Sequence, residues 1–258
     1  MDCAVNFNEL LPTESERKSF DRKWRDFIAS DDANKSIYQR KGNRLLYKSE
    51  QLIPSKKDSR PALLLVFGNP ASHSVQSGMF FAFKDNGKEN RFWKNILKPS
   101  GIIDLPFDPA RSMEELNIER RDRLLNLDYD APFRIGLCVI LSMPSAPAGK
   151  WGGVAGVQKL IGAKAMRRLE EAETERVIEC SRGFLSNDGI VVSFQKNAWS
   201  TLKSDEDPPY DINLAKAGKL IGKMKNSPGI ALFAVPPTRI ISPCRDVLSK
   251  VLKVAYFE

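Results

Sequence analysis

The sequence predicts an α/β fold, a three-layer α/β/α domain with a short, mostly parallel, four-stranded central sheet. Three observations predict it. Four short apolar runs, at residues 62 to 67, 134 to 142, 189 to 194 and 230 to 235, have the length and side-chain content of strands. Stretches of helical periodicity separate them, at residues 90 to 97, 112 to 127, 154 to 174 and 212 to 225, with a closing helix near 243 to 254. The run from Leu63 to Val66 is apolar without alternation, as suits a strand covered on both faces.

The elements follow in chain order. Residues 13 to 29 open with Thr13 and Glu16 at capping-box spacing and carry Phe20, Trp24, Phe27 and Ile28 at helical intervals, which predicts an amphipathic helix. Residues 30 to 61 are polar and basic and read as loop and short elements. Residues 1 to 60 are therefore expected to form an N-terminal helical and basic extension, and 61 to 258 the main domain. The first strand stops at Gly68 and Pro70, which leaves Asn69 at its carboxyl end. In open parallel sheets ligands bind at that edge, so a polar loop there reads as a pocket floor; an ordinary turn capped by the asparagine is the alternative. The loop from Ser142 to Gly153 leaves the second strand at the same edge. The glycine-rich segment from Lys150 to Gly162 lacks a P-loop's Gly-Lys-Ser/Thr ending and reads as a loop entering a helix whose N-terminus faces a phosphate.

Composition narrows the partner. The 258 residues suffice for one sizeable core, and 40 Lys+Arg against 32 Asp+Glu give a net charge of +8, which favours an anionic partner. Cys3, Cys138, Cys180 and Cys244 are scattered and match no metal-ligand spacing, so no metal site is expected. Cys138 reads as a small core residue of a reduced protein. No apolar run approaches membrane length and Met1 to Leu11 carries four polar residues, so a soluble cytoplasmic protein is expected.

Asn69-Pro70, the Ser-rich loop with Ser72, His73 and Ser74, then Gly78, Phe81 and Asn90-Arg91-Phe92-Trp93 together carry a family likeness. About thirty residues resemble the first motif of the uracil-DNA glycosylase superfamily, nearest its mismatch-specific (G:T/U) branch. The resemblance implies that Asn69 positions the attacking water and that Phe81 stacks on an extruded base. It implies that Pro70, Ser72, His73 and Ser74 line the substrate site, Ser74 matching a loop serine of that branch. Phe80 and Phe83 compete for the stacking role, and His73, the single histidine, could also bind a phosphate when protonated.

The last strand ends in Ala234-Val-Pro-Pro-Thr-Arg-Ile-Ile-Ser242, at the place of that superfamily's second motif. Pro236 stands where a His or Asn is usual. Pro237 and Thr238 keep a Pro-Ser-like pair, Thr238 as a phosphate ligand, and Arg239 and Ile240 would form an intercalating tip. Ala71 in place of a glycine is a second departure. The implied function is a monofunctional glycosylase that removes a deaminated base, uracil first and hypoxanthine second, from DNA, as a monomer and without a cofactor. An asparagine in place of a carboxylate implies a slow enzyme. Two alternatives stay open: a protein of this fold that binds DNA without cleaving it, which Pro236 favours, and a small-molecule hydrolase.

Overall fold

The computed structural model describes residues 1–83, 87–185 and 189–256, with backbone alone for 254–256. The chain opens on β1 (Asp2–Asn6), α1 (Phe7–Leu10), α2 (Glu14–Ala29) and α3 (Ala33–Ile37), then a hairpin of β2 (Tyr38–Lys41) and β3 (Arg44–Lys48). The capping box at Thr13 and Glu16 forms as expected. The expected loop between 30 and 61 instead holds this hairpin, which pairs with β1 in a three-stranded antiparallel sheet. Gly42-Asn43 makes its two-residue turn, Gly42 with φ +54°, a conformation that suits a tight hairpin.

The main domain runs β4 (Ala62–Phe67), α4 (Ser72–Ser77), a π-helical turn (Trp93–Leu97) continued by α5 (Lys98–Ser100), α6 (Met113–Asn126) and β5 (Arg134–Val139). A 3-10 turn (Gly149–Trp151), α7 (Gly153–Ile161), α8 (Ala163–Leu185), β6 (Ile190–Ser193), α9 (Lys196–Leu202) and α10 (Ile212–Ala217) follow. The chain closes with β7 (Ile221–Met224), β8 (Ser227–Ala234) and α11 (Ile241–Tyr256). The single helix expected over 154–174 is two, because Gly162, at φ +88°, breaks the path between α7 and α8.

The central sheet has five strands rather than the expected four, in the order β5-β4-β6-β8-β7, with only β7 antiparallel. The extra strand comes from the second half of the helix expected over 212–225. Gly218 ends α10 in the left-handed region at φ +70°, and Asn226 at φ +57° turns β7 back onto β8.

Alternation along the strands builds two cores. Ala62, Leu64 and Val66 of β4, with Val191 and Leu232, face α7, α8 and α9, where Trp199 is fully buried. Leu63, Leu65 and Phe67, with Val192 and Phe233, face the π-helical turn, α6 and α11. Helices thus cover both faces of a mostly parallel sheet. Phe7, Leu10, Phe20, Phe27, Leu45 and Tyr47 of the N-terminal segment belong to the first core. Phe27 meets Trp151 edge-on at 5.9 Å, and Arg168 of α8 donates to Leu10 O at 2.8 Å. Cys138 is fully buried, as a core cysteine should be. Among the described residues no helix is long and apolar enough to cross a membrane.

Between the N-terminal sheet and β4 lies Glu50, 6% exposed, with Oε1 lacking a hydrogen-bond partner. Burial raises its pKa well above the usual carboxylate range. A folded pKa above the unfolded one costs nothing below about pH 4 and about 1.4 kcal/mol per pH unit above it, until the folded pKa is passed. Glu50→Gln is expected to stabilise the fold at pH 7 and to lose that advantage at pH 4. Urea unfolding of both proteins at the two pH values checks this.

Candidate active site

The strand order places a topological switch point at β4: the chain leaves it for β5 on one side and returns to β6 on the other. Ligand clefts in open parallel sheets open outside the carboxyl ends of strands at such a point. The segments that meet there are 68–71 after β4, 140–153 after β5, 194–197 after β6 and 235–240 after β8.

Asn69 is half-buried in the first of these. Its Nδ2 donates to Ser145 Oγ at 2.9 Å and to Met143 O at 3.1 Å. A carbonyl can only accept, so these bonds fix which way the amide faces. Oδ1 is left on the side of Gly153: a Cβ on that glycine would stand 4.0 Å from it. Gly153, at φ +63°, begins α7 and lines a cleft of about 600 Å³. The opposite walls come from Gln195, Lys196, Tyr210, Thr238 and Arg239. A cleft of that volume has room for a small molecule or for part of a larger one.

The cleft is partly apolar, through Val154, Ala155, Ile212 and Pro237, and carries the cations Lys196 and Arg239. The first turn of α7 carries no acidic residue and no side-chain cap, so its amide dipoles add to the positive ends of Lys196 and Arg239. Gln195 lies against Gly68 so closely that a Cβ at position 68 would meet its Oε1 at 2.2 Å. The Tyr210 hydroxyl is buried without a hydrogen-bond partner, and burial pushes that phenol's pKa up against the opposing pull of Arg239.

The predicted residues divide between this cleft and its surroundings. Pro237, Thr238 and Arg239 line it, and Arg239 is the exposed apex of a turn closed by Ile240 N–H to Pro237 O at 2.9 Å. Ile240 is half-buried just ahead of α11, so the tip is Thr238-Arg239 and not Arg239-Ile240. Pro236 is buried behind them. Pro70 is buried, and its carbonyl accepts from Ser145 N at 3.1 Å. Ser72 is fully buried and donates to Asn34 Oδ1 at 2.5 Å, so its hydroxyl serves the N-terminal segment. Ser74 is buried on α4 beside half-buried His73, with Oγ and Nε2 3.4 Å apart.

Phe81 stands on the other side of β4's end, in the second core. It stacks on Phe92 with centroids 4.1 Å apart and meets Phe67 edge-on at 5.1 Å. Its φ of +50° is a strained conformation for a bulky residue, held by Trp93 Nε1, which donates to Phe80 O and Phe81 O at 3.1 and 3.2 Å. One ring face is covered by Phe92 and the side chain is half-exposed, while Phe80 and Phe83 are buried. The competing assignments of the stacking role to Phe80 or Phe83 therefore lose their basis.

Gln195, Lys196 and Tyr210 are cleft residues that the sequence reading missed. The signal for Gln195 was present, since it follows the buried β6 run as Asn69 follows β4. No family model matches this chain, and no curated protein matches it in sequence. The arrangement is an amide held in one orientation at the carboxyl end of β4, near a cleft that carries Lys196 and Arg239.

Proposed function

We propose that the chain is a monofunctional DNA glycosylase of the uracil-DNA glycosylase superfamily, acting on a deaminated base in DNA. The observation that carries this reading is the Asn69 amide at the carboxyl end of β4, held through Nδ2 by Met143 O and Ser145 Oγ so that Oδ1 is left on the side of Gly153, a residue of the cleft wall. An acceptor fixed there orients a water without needing to be a strong base. The water oxygen bonds to C1′ of the deoxyribose, the C1′–N bond breaks with its electron pair leaving on the base, and the base anion takes up the proton that the water loses. Positioning of this kind is a large part of the barrier reduction in a reaction with an oxocarbenium-like transition state.

The remaining groups take compatible roles. Thr238, Arg239 and the uncapped start of α7 meet phosphates, while Phe81, packed on Phe92 on the other side of β4's end, is not a wall of this cleft and supplies no stacking face there. Pro236 cannot donate to the leaving base; Gln195, beside Gly68, carries an amide that can. A Cβ at position 68 would meet the flexible end of Gln195 first and displace it. Gly68→Ala is therefore expected to raise KM for a base-containing duplex about tenfold, one hydrogen bond's worth, with Tm within about 2 °C of wild type. Steady-state kinetics beside a thermal melt check it.

Pro236 also favours the second reading, a protein that binds damaged DNA without hydrolysing it. Chromatography of free base after incubation with uracil, hypoxanthine and thymine-mismatch duplexes separates the two. Released base supports the enzyme. Salt-sensitive binding with no released base on any duplex supports the binder, because phosphate contacts weaken as salt rises.

A further inference from the structure

We infer that residues 34 to 47 of the N-terminal segment are a positioning brace for Asn69, acting through Asn34, Tyr38 and Tyr47 on the two loops that orient its amide. The kinetic consequence rests on the glycosylase reading; the structural one does not.

The brace has three struts. Tyr38 Oη donates to Pro144 O at 2.5 Å, and Pro144 lies between Met143 and Ser145, the two residues that accept from Asn69 Nδ2. Tyr47 Oη bonds Ser142 Oγ at 2.8 Å. Ser142 gives both its N–H and its hydroxyl proton to Glu173, so Tyr47 is the donor in that bond. Asn34 Oδ1 accepts from Ser72 Oγ at 2.5 Å, and Asn34 Nδ2 donates to Phe27 O at 2.9 Å, which sets its orientation in turn. The two braced loops are then joined by Ser72 N to Ser145 O and Ser145 N to Pro70 O, at 2.9 and 3.1 Å.

Packing alone does not ask for these polar atoms. Tyr38 and Tyr47 are buried at 7% and 4% exposure, and their rings pack against each other at 5.7 Å, with Trp24 and Phe27 beside Tyr38. Phenylalanine rings would fill that space equally well. Burying a hydroxyl is costly unless it is bonded, and both phenols direct that bond to the loop from 142 to 145. Burial raises both phenol pKa values, so each stays a proton donor through the neutral range. Ser72 on one side and residues 142 to 145 on the other are thus held from α3 and the N-terminal sheet as well as from the central sheet.

The test compares Tyr38→Phe, Tyr47→Phe and the double variant with Phe20→Leu, which loosens the same segment without touching either loop. Two readouts are taken: single-turnover base release with DNA Kd, and the NMR signal and solvent exchange of the Asn69 side-chain amide, assigned by its loss in Asn69→Asp. The double variant is expected to release base about 10- to 100-fold more slowly with Kd within twofold, because small misplacement of a positioning group is felt in the chemical step. Its Asn69 amide protons should exchange faster, while Phe20→Leu lowers Tm and leaves rate and amide unchanged. An unaltered Asn69 amide in the double variant overturns the brace. Absence of base release by the wild type overturns the glycosylase reading instead, and the amide readout still decides the brace.

Discussion

Asn69→Ala is expected to slow base release at least about 100-fold while leaving DNA affinity within twofold. On the proposed reading the side chain contributes an oriented acceptor to the transition state, and phosphate binding falls to Thr238 and Arg239, cleft residues that Asn69 does not join. Removing it also leaves Met143 O and Ser145 Oγ short of a donor, a cost of about 1–2 kcal/mol that a melt will register as a modest fall in Tm. Asn69→Asp is a sharper control. Its carboxylate would face Met143 O with no proton to give, so it is expected to disturb the loop and not to produce a faster enzyme. Single-turnover rates and Kd for the three proteins separate these effects.

Arg176→Met is expected to be the most destabilising of the single substitutions considered, by about 3–5 kcal/mol. Arg176 Nε bonds Glu173 Oε2 at 2.5 Å, Nη2 bonds Val139 O at 2.6 Å, and Nη1 reaches Gln51 Oε1 at 3.2 Å. Glu173, its side chain 7% exposed, would keep Ser142 as a partner but lose its counter-ion in a dry setting. At roughly 2–4 °C per kcal/mol for a chain of this size, Tm should drop by about 10 °C. The exposed Lys18–Glu14 pair, at 2.6 Å, sets the contrast: its loss should move stability by less than about 0.5 kcal/mol. Urea unfolding of Arg176→Met and Lys18→Met checks both, and equal stabilities would refute the role given to the buried pair.

What the sequence made legible was what local chemistry decides. Leu63 to Val66 had to be a covered strand, and Gly68-Asn69-Pro70 had to end it, so the position of Asn69 could be read before any coordinates. The capping-box spacing of Thr13 and Glu16 marked the start of α2, whereas the box of Ser112 and Glu115 that starts α6 went unread. The N-terminal sheet escaped notice because Arg44, Lys48, Arg40 and Lys41 surround its short alternation, although Gly42-Asn43 is a hairpin signal. β7 was hidden because its four residues continue the apolar content of α10, and only Gly218 marks the change.

The site was less legible than the fold because its partners are remote in sequence. Ser72 looked like a substrate contact from its neighbours, yet its hydroxyl is spent on Asn34, 38 residues away. Asn69 takes its orientation from residues 74 and 76 positions downstream, and no local pattern encodes such a bond. Gln195 and Tyr210 join the cleft only because β6 and the segment before α10 end at the same sheet edge.

The measurement that bears most directly on the central claim is a single-turnover gel assay on labelled duplexes carrying one uracil or one hypoxanthine, developed by alkaline cleavage of abasic sites. Wild type is run beside Asn69→Ala at matched, saturating protein. The account predicts slow cleavage at the modified position by the wild type and at least a 100-fold loss in the variant. Cleavage that survives Asn69→Ala undiminished, or a wild type that binds both duplexes and cleaves neither, would contradict it.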